Sequence, residues 1–170
     1  YLKASEETHR AKWRAVEAKV AVPEPSREIV AAFRRRLNVL CHSGVWCGDC
    51  SRQGPMLMRI AACNAGIDLR FVERVDDSRL SDELRINGAI KVPVVVFLSE
   101  DFFELGRFGD RMLSAYRRIA RAQIGPACDT GLMVPSQADL QTELAEWVDL
   151  FERMHLIVRL APMLRQRYGD

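Results

Sequence analysis

VWCGDC, residues 45–50, decides how the rest of the chain is read: two cysteines with two residues between them, a tryptophan before the first, an aspartate against the second. Such a pair can bind a metal, cross-link the fold or carry electrons. A structural zinc site needs four ligands, usually from two such pairs, and no second pair is present. Cys41, His42 and Cys63 are the nearest candidates to complete one. Cys63 falls about three and a half helical turns beyond Cys50, too far to share an ion, so no metal is expected. A disulfide closing so small a loop constrains the unfolded chain little. Electron transfer suits the spacing best.

Leu37 to Cys41 is a short apolar run that reads as a buried strand and leads through Ser43 and Gly44 to the cysteines. From Cys50 to Ala65 the pattern is helical, with Leu57, Ile60 and Ala61 apolar and Gly66 where a C-cap belongs. Cys47 would then stand at a helix N-terminus, where unpaired N–H groups and the macrodipole favour a thiolate. Cys50, one turn along, would be placed to resolve a mixed disulfide. Cys47 and Cys50 are therefore the expected nucleophile and resolver.

Before this unit, Ser5 to Val20 is rich in helix formers, and Pro23 and Pro25 close the segment. Ser26 is placed to cap a second helix, REIVAAFRRR, with Ile29, Val30 and Phe33 on one side and Arg34 to Arg36 as its solvated end. After it, Asp68 to Val75 alternates as a strand does, and Ser81 opens a helical turn ending near Asn87 and Gly88. Val92 to Leu98 (VPVVVFL) is the most strand-like segment of the chain, and Phe102 to Arg107 reads as its antiparallel neighbour. Asp110 would cap a helix running to about Ala122. The predicted order is β-α-β-α-β-β-α.

An irregular stretch follows Gly125 and Pro126 as far as Pro135. Ser136 or Gln137 then opens a long helix whose Leu140, Leu144, Trp147, Phe151, Met154 and Val158 recur at helical spacing. That stripe reads as core, with a homodimer seam as the other reading. One domain over residues 1–170 is expected, its core from about 27 to 125, with helical extensions over 1–22 and 136–167.

A net charge of +2 is too small to argue for nucleic acid or an anionic membrane as the main partner. No apolar run approaches the roughly 20 residues that span a bilayer. The start YLKASEETHR lacks the apolar core of a secretory signal, and the missing initial Met reads as the start of a segment within a longer chain. Five cysteines are odd in number and thin for this length, which favours a reducing, cytoplasmic compartment. Cys63 and Cys128 read as small buried hydrophobes, with a regulatory thiol as a further reading of Cys128 in GPACDTG. No GxGxxG or P-loop is present, so no bound cofactor is expected.

WCGDC with Pro55 five residues on, a strand opened by a Val-Pro step (KVPVVVFL) and a glycine after it (ELGRFG) together resemble the thioredoxin family over roughly Leu37 to Ala122. The resemblance implies an α/β thioredoxin-like fold, a central mixed sheet flanked by helices, here with extra N- and C-terminal helices. It implies that Trp46, Cys47 and Cys50 match the tryptophan and redox pair, and that Pro55 kinks the first long helix. It implies that Pro93 is a cis-proline and that Trp46, Gly48, Val92 and Pro93 line the substrate side, with Gly106 keeping the neighbouring surface open. The implied activity is reduction of disulfide-containing protein substrates, with electrons from a reductase or dithiol donor. A binding or adaptor module with a slow or vestigial CxxC is the alternative.

Two positions depart from the family pattern. Six residues before the nucleophile, where the family carries a buried acid, stands Cys41, with His42 beside it on the opposite face of a strand. Between the cysteines, Asp49 replaces the usual proline. Two negative charges about 6 Å apart at an effective dielectric of about 20 repel by roughly 3 kcal/mol. Asp49 is therefore expected either to hold the Cys47 pKa up or to act as the acid and base that Cys41 cannot be.

Overall fold

The computed structural model describes residues 6–124 and 136–169. Four strands, β1 (Leu37–Ser43), β2 (Ile67–Glu73), β3 (Val94–Leu98) and β4 (Glu104–Gly109), form one sheet in the order β2-β1-β3-β4. β1 pairs parallel with β2 and antiparallel with β3, and β3 pairs antiparallel with β4. The described helices are α1 (Glu7–Glu17), α2 (Glu24–Ala31), α3 (Gly48–Ala61), α4 (Arg79–Glu83), α5 (Leu113–Ile124), α6 (Gln137–Leu160) and α7 (Pro162–Tyr168). The order expected for the central part of the chain is the order found, and the fold is thioredoxin-like α/β.

β1 is buried at six of its seven positions, as a central strand covered on both faces must be. Alternation along β3 shows the two faces. Val95 and Phe97 join the main core with Met56, Leu57 and Ile60 of α3, whereas Val94 and Val96 pack with Leu84 on the α4 side. The main core is completed by α6. Leu140, Leu144, Trp147, Phe151, Met154 and Val158 are all at most 1% exposed, so the stripe is core, and Phe151 meets Phe97 edge-on at 5.0 Å. A second copy seated on α6 would have to use other residues. α1 is likewise no loose extension: buried Trp13 lies against Gly54 of α3 so closely that a Cβ there would stand 1.9 Å from the ring. The helix that carries the cysteines is thus clamped by α1 and α6.

Several boundaries differ from expectation for local reasons. α2 starts at Glu24 with Pro25 in its first turn, where a missing N–H costs nothing, so Ser26 lies inside the helix. α2 stops at Ala31, and Ile29 is turned outward. Arg34 to Arg36 belong to the connector before β1, and Arg35 is buried there. Its guanidinium makes a paired contact with Glu100 at 2.7 and 2.8 Å and lies 4.6 Å from the Tyr168 ring centre. α3 ends at Ala61, short of Gly66. α4 is capped by Ser78, whose Oγ accepts from the Ser81 N–H at 3.1 Å. Asp110 does not cap α5. The Ser114 N–H of that helix instead donates to Glu146 of α6 at 3.0 Å. α6 opens as expected with Ser136 accepting from the Asp139 N–H, and it breaks at extended Ala161 because Pro162 follows. Residues 125–135, with Cys128 and the predicted irregular stretch, lie outside the described residues.

Candidate functional site

β1 ends at Ser43, and a short turn brings Cys47 to the N-cap of α3 in an extended conformation (φ −81°, ψ 128°). The first helical N–H groups therefore point at its sulfur. Cys47 is half-buried, and its Sγ lies 3.6 Å from the carbonyl oxygen of Val92. The Val92–Pro93 peptide is cis, as the resemblance implied. The loop that precedes β3 and the turn that follows β1 meet at this sulfur.

The two sulfurs are hydrogen-bonded to each other and shifted in opposite directions. The Cys47 pKa is lowered to about 6, mainly by the hydrogen bond from Cys50, with burial opposing and the N–H groups of Cys50 and Asp49 assisting. Cys50 is buried, and burial together with the neighbouring Cys47 thiolate pushes its thiol up. The Gly44 N–H donates to Cys50 Sγ at 3.4 Å, and the buried Ser43 hydroxyl bonds the same sulfur. Direction agrees with the helix N-terminus argument, but the partner thiol contributes more than the backbone does.

Asp49 does oppose the Cys47 thiolate, but less strongly than the Cys50 bond favours it. Its carboxylate is held by two guanidiniums, Arg52 at 2.8 Å and Arg111 at 2.7 Å, whose positive charge acts against the repulsion expected from an isolated carboxylate. Trp46 is half-exposed, with the Arg74 guanidinium 5.3 Å from the ring centre. Its ring lies back over Gly44, where a Cβ would come within 2.5 Å. Gly48 is exposed, and a Cβ there would meet nothing within 4 Å, so the surface beside Cys47 is open. The Val92 side chain is buried, which leaves its backbone as the part presented to Cys47.

The expectation for Gly106 is corrected. Gly106 does not border this surface, because a Cβ there would touch Phe108 and Met154 of α6. Gly109 holds that place: opposite Val94 in the sheet, it would carry a Cβ only 2.4 Å from the Pro93 carbonyl oxygen. Cys41 is fully buried, and burial lifts its thiol to about 12, so it accepts no proton near neutrality. His42 faces the α4 side. Its Nε2 donates to Ser81 Oγ at 3.2 Å, since that hydroxyl gives its own proton to the Val75 carbonyl. Burial lowers the His42 pKa, with Arg74 adding to the effect and Asp76 opposing it. Cys63, in the turn after α3, is half-buried, and its thiol donates to the Arg59 carbonyl, away from the pair.

Sequence reasoning did not single out Arg52, Arg111 or Glu143. Arg52 was detectable as an (i, i+3) partner of Asp49. Arg111 and Glu143 are brought in only by the fold. Among the described residues, no group of three or more His, Cys, Asp or Glu side chains could hold a metal ion. No described helix is long and apolar enough to cross a membrane.

A family model described as thioredoxin matches residues 1–120, more than half of the chain. The chain belongs to the thioredoxin family. The family match begins ahead of α1 and so takes in the Trp13 clamp as well as the cysteine turn. Among solved structures, a protein of unknown function from Pseudomonas aeruginosa has the same fold at 19% identity and a TM-score of 0.70. That alignment covers 91% of this chain and 87% of the other. An HIV epitope-scaffold aligns at 22% identity with a TM-score of 0.56, over 89% of this chain and 82% of its own. At these identities the likeness concerns fold alone. No curated protein matches the chain.

Proposed function

We propose that this thioredoxin-family chain is a thiol-disulfide oxidoreductase that reduces protein disulfides. One observation carries the reading: two hydrogen-bonded sulfurs at the start of α3, shifted apart, with the more acidic and more exposed one beside the Val92 carbonyl. In the reaction, the Cys47 thiolate attacks a substrate disulfide; that S–S bond breaks, and a mixed disulfide and a substrate thiolate result. Cys50 then gives up its proton and attacks the Cys47 sulfur. A Cys47–Cys50 disulfide forms, and the second substrate thiolate leaves, so two electrons have passed to the substrate.

The base for the second step is a released substrate thiolate, whose ordinary pKa of about 8.5 makes it a better acceptor than Cys41. The Ser43 hydroxyl and Gly44 N–H stabilise the charge as it develops on Cys50. Trp46, Gly48 and the Val92–Pro93 backbone form the docking surface for an extended substrate segment. A dithiol protein or a flavoprotein reductase returns the electrons, and a reducing compartment such as the cytoplasm suits that cycle.

Disulfide turnover on insulin tests the reading. The unsubstituted chain should turn over, Cys47→Ser should abolish turnover, and Cys50→Ser should trap a mixed disulfide that mass spectrometry detects. The burial of Cys41 where a buried acid is usual favours the second reading, an adaptor with a slow dithiol. An absence of turnover in the unsubstituted chain would support it.

A further inference from the structure

Eight of the nine buried side chains of α6 are apolar or, as with His155, stacked on a ring; the ninth is the carboxylate of Glu143. It is 0% exposed, between Leu140 and Leu144, and both of its oxygens are taken by guanidiniums. Arg52 Nε donates to Oε2 at 2.9 Å, and Arg118 Nη1 lies 3.2 Å from Oε1. The other arm of Arg52 donates to Asp49 at 2.8 Å. Charge therefore alternates without a break from α5 through α6 to the residue between the two cysteines: Arg118, Glu143, Arg52, Asp49, and lastly Arg111 on the far oxygen of Asp49. A buried ion pair is weak support for stability, since an apolar replacement of similar volume is often as stable. What this one does is hold Arg52, and Arg52 reaches the Asp49 carboxylate, between the two cysteines in sequence.

We propose that Glu143 is a positioning residue of the dithiol: from α6 it fixes Arg52, and through Arg52 it sets where the Asp49 carboxylate stands and how much of its negative field reaches Cys47. The inference rests on the thiol-disulfide reading above. Asp49 opposes the Cys47 thiolate, Arg52 and Arg111 offset Asp49, and Glu143 in turn offsets part of Arg52. The surrounding charges are Asp139 on Arg118, Asp110 on Arg111, and Arg74 on the Trp46 side of Cys47. Burial pushes the Glu143 carboxyl up, and its two guanidiniums pull it back.

Such a relay makes a prediction that packing does not. Removing charges one at a time should move Cys47 in alternating directions, by less with distance. The measurement is the rate of Cys47 alkylation by iodoacetamide against pH in the full chain, read by mass spectrometry of the Cys47 peptide. Near the midpoint, Asp49→Asn should raise the thiolate fraction roughly threefold and Arg52→Gln should lower it roughly threefold. Glu143→Gln should raise it about twofold, Glu143→Asp should restore it, and Arg118→Gln should lower it slightly. In an Asp49→Asn background, Glu143→Gln should lose most of its effect, because its influence passes through that carboxylate. Full persistence there would mean Glu143 acts only as a distant charge, and would overturn the proposal. So would a folded Glu143→Gln protein with an unmoved profile. Should Glu143→Gln fail to fold, Arg118→Gln measured with and without Asp49→Asn decides the matter in the same way: loss of its effect without that carboxylate supports the relay, and full persistence overturns it. An ordinary, unlowered Cys47 midpoint in the unsubstituted chain would instead sink the thiol-disulfide reading itself.

Discussion

The first turn of α3 and the middle of α6 pack on the same face of the sheet, yet they are opposites. The turn is half open to solvent: Trp46 and Gly48 are exposed, Cys47 partly so, and its polar groups are aimed at a sulfur. The α6 stripe is shut away and chemically silent, built of aromatic and aliphatic side chains against Phe97 and Met56. Reactivity here depends on a few aligned donors and stability on buried volume, so the two should fail independently under mutation. Glu143 is the exception that joins them.

The largest expected effect is on the silent side. Phe151→Ala should cost about 3–5 kcal/mol and lower Tm on the order of 10 °C, while leaving the Cys47 alkylation profile in place. Thermal melts run beside the alkylation assay check both; a displaced thiol profile would show that the two regions are not separable.

Next comes a pH dependence that only the turn can supply. The Cys47 pKa is about 6 in the fold against an ordinary value near 8.5–9, a depressed acid, so its stabilising contribution to the reduced state is full above the unfolded value and is lost as pH falls through about 6. Reduced wild type should therefore gain on the order of 2 kcal/mol over Cys47→Ser between pH 5 and pH 8.5, after screening of the partly exposed group. Urea unfolding under dithiol at the two pH values measures it. A constant difference would mean that the thiolate is not specially stabilised.

The smallest effect on stability should come with a larger one on turnover. Gly109→Ala places a methyl against the Pro93 carbonyl and must shift the loop beside Cys47. Tm should fall by only a few degrees, whereas insulin reduction should slow roughly tenfold. Equal losses in both would tie loop position to global packing and blur the contrast.

Much of this was legible in the linear chain. The CxxC spacing, the strand before it, the Val-Pro step and the α6 stripe are local patterns, and local patterns survive without knowledge of partners. What failed did so where several residues competed for one local role. Ser26 and Asp110 are good helix caps by type, but Pro25 in the first turn decided one start and Glu146, reaching from α6, satisfied the other. The Arg34–Arg36 run looked like a solvated end, and Arg35 is buried because Glu100, 65 residues away, and Tyr168 wait for it. Gly106 and Gly109 are equally plausible in ELGRFG; only the pairing of Val94 with Gly109 tells which one faces the cis-proline.

By itself the sequence determined a strand–turn–helix with two sulfurs at its junction, because spacing along one chain places a resolver one turn from a nucleophile. Only the tertiary structure decided how reactive that junction is. The Val92 carbonyl lies 45 residues from Cys47 in sequence, Arg111 lies 62 from Asp49, and Glu143 lies 91 from Arg52, and electrostatic fields act over distances in space that no local pattern encodes.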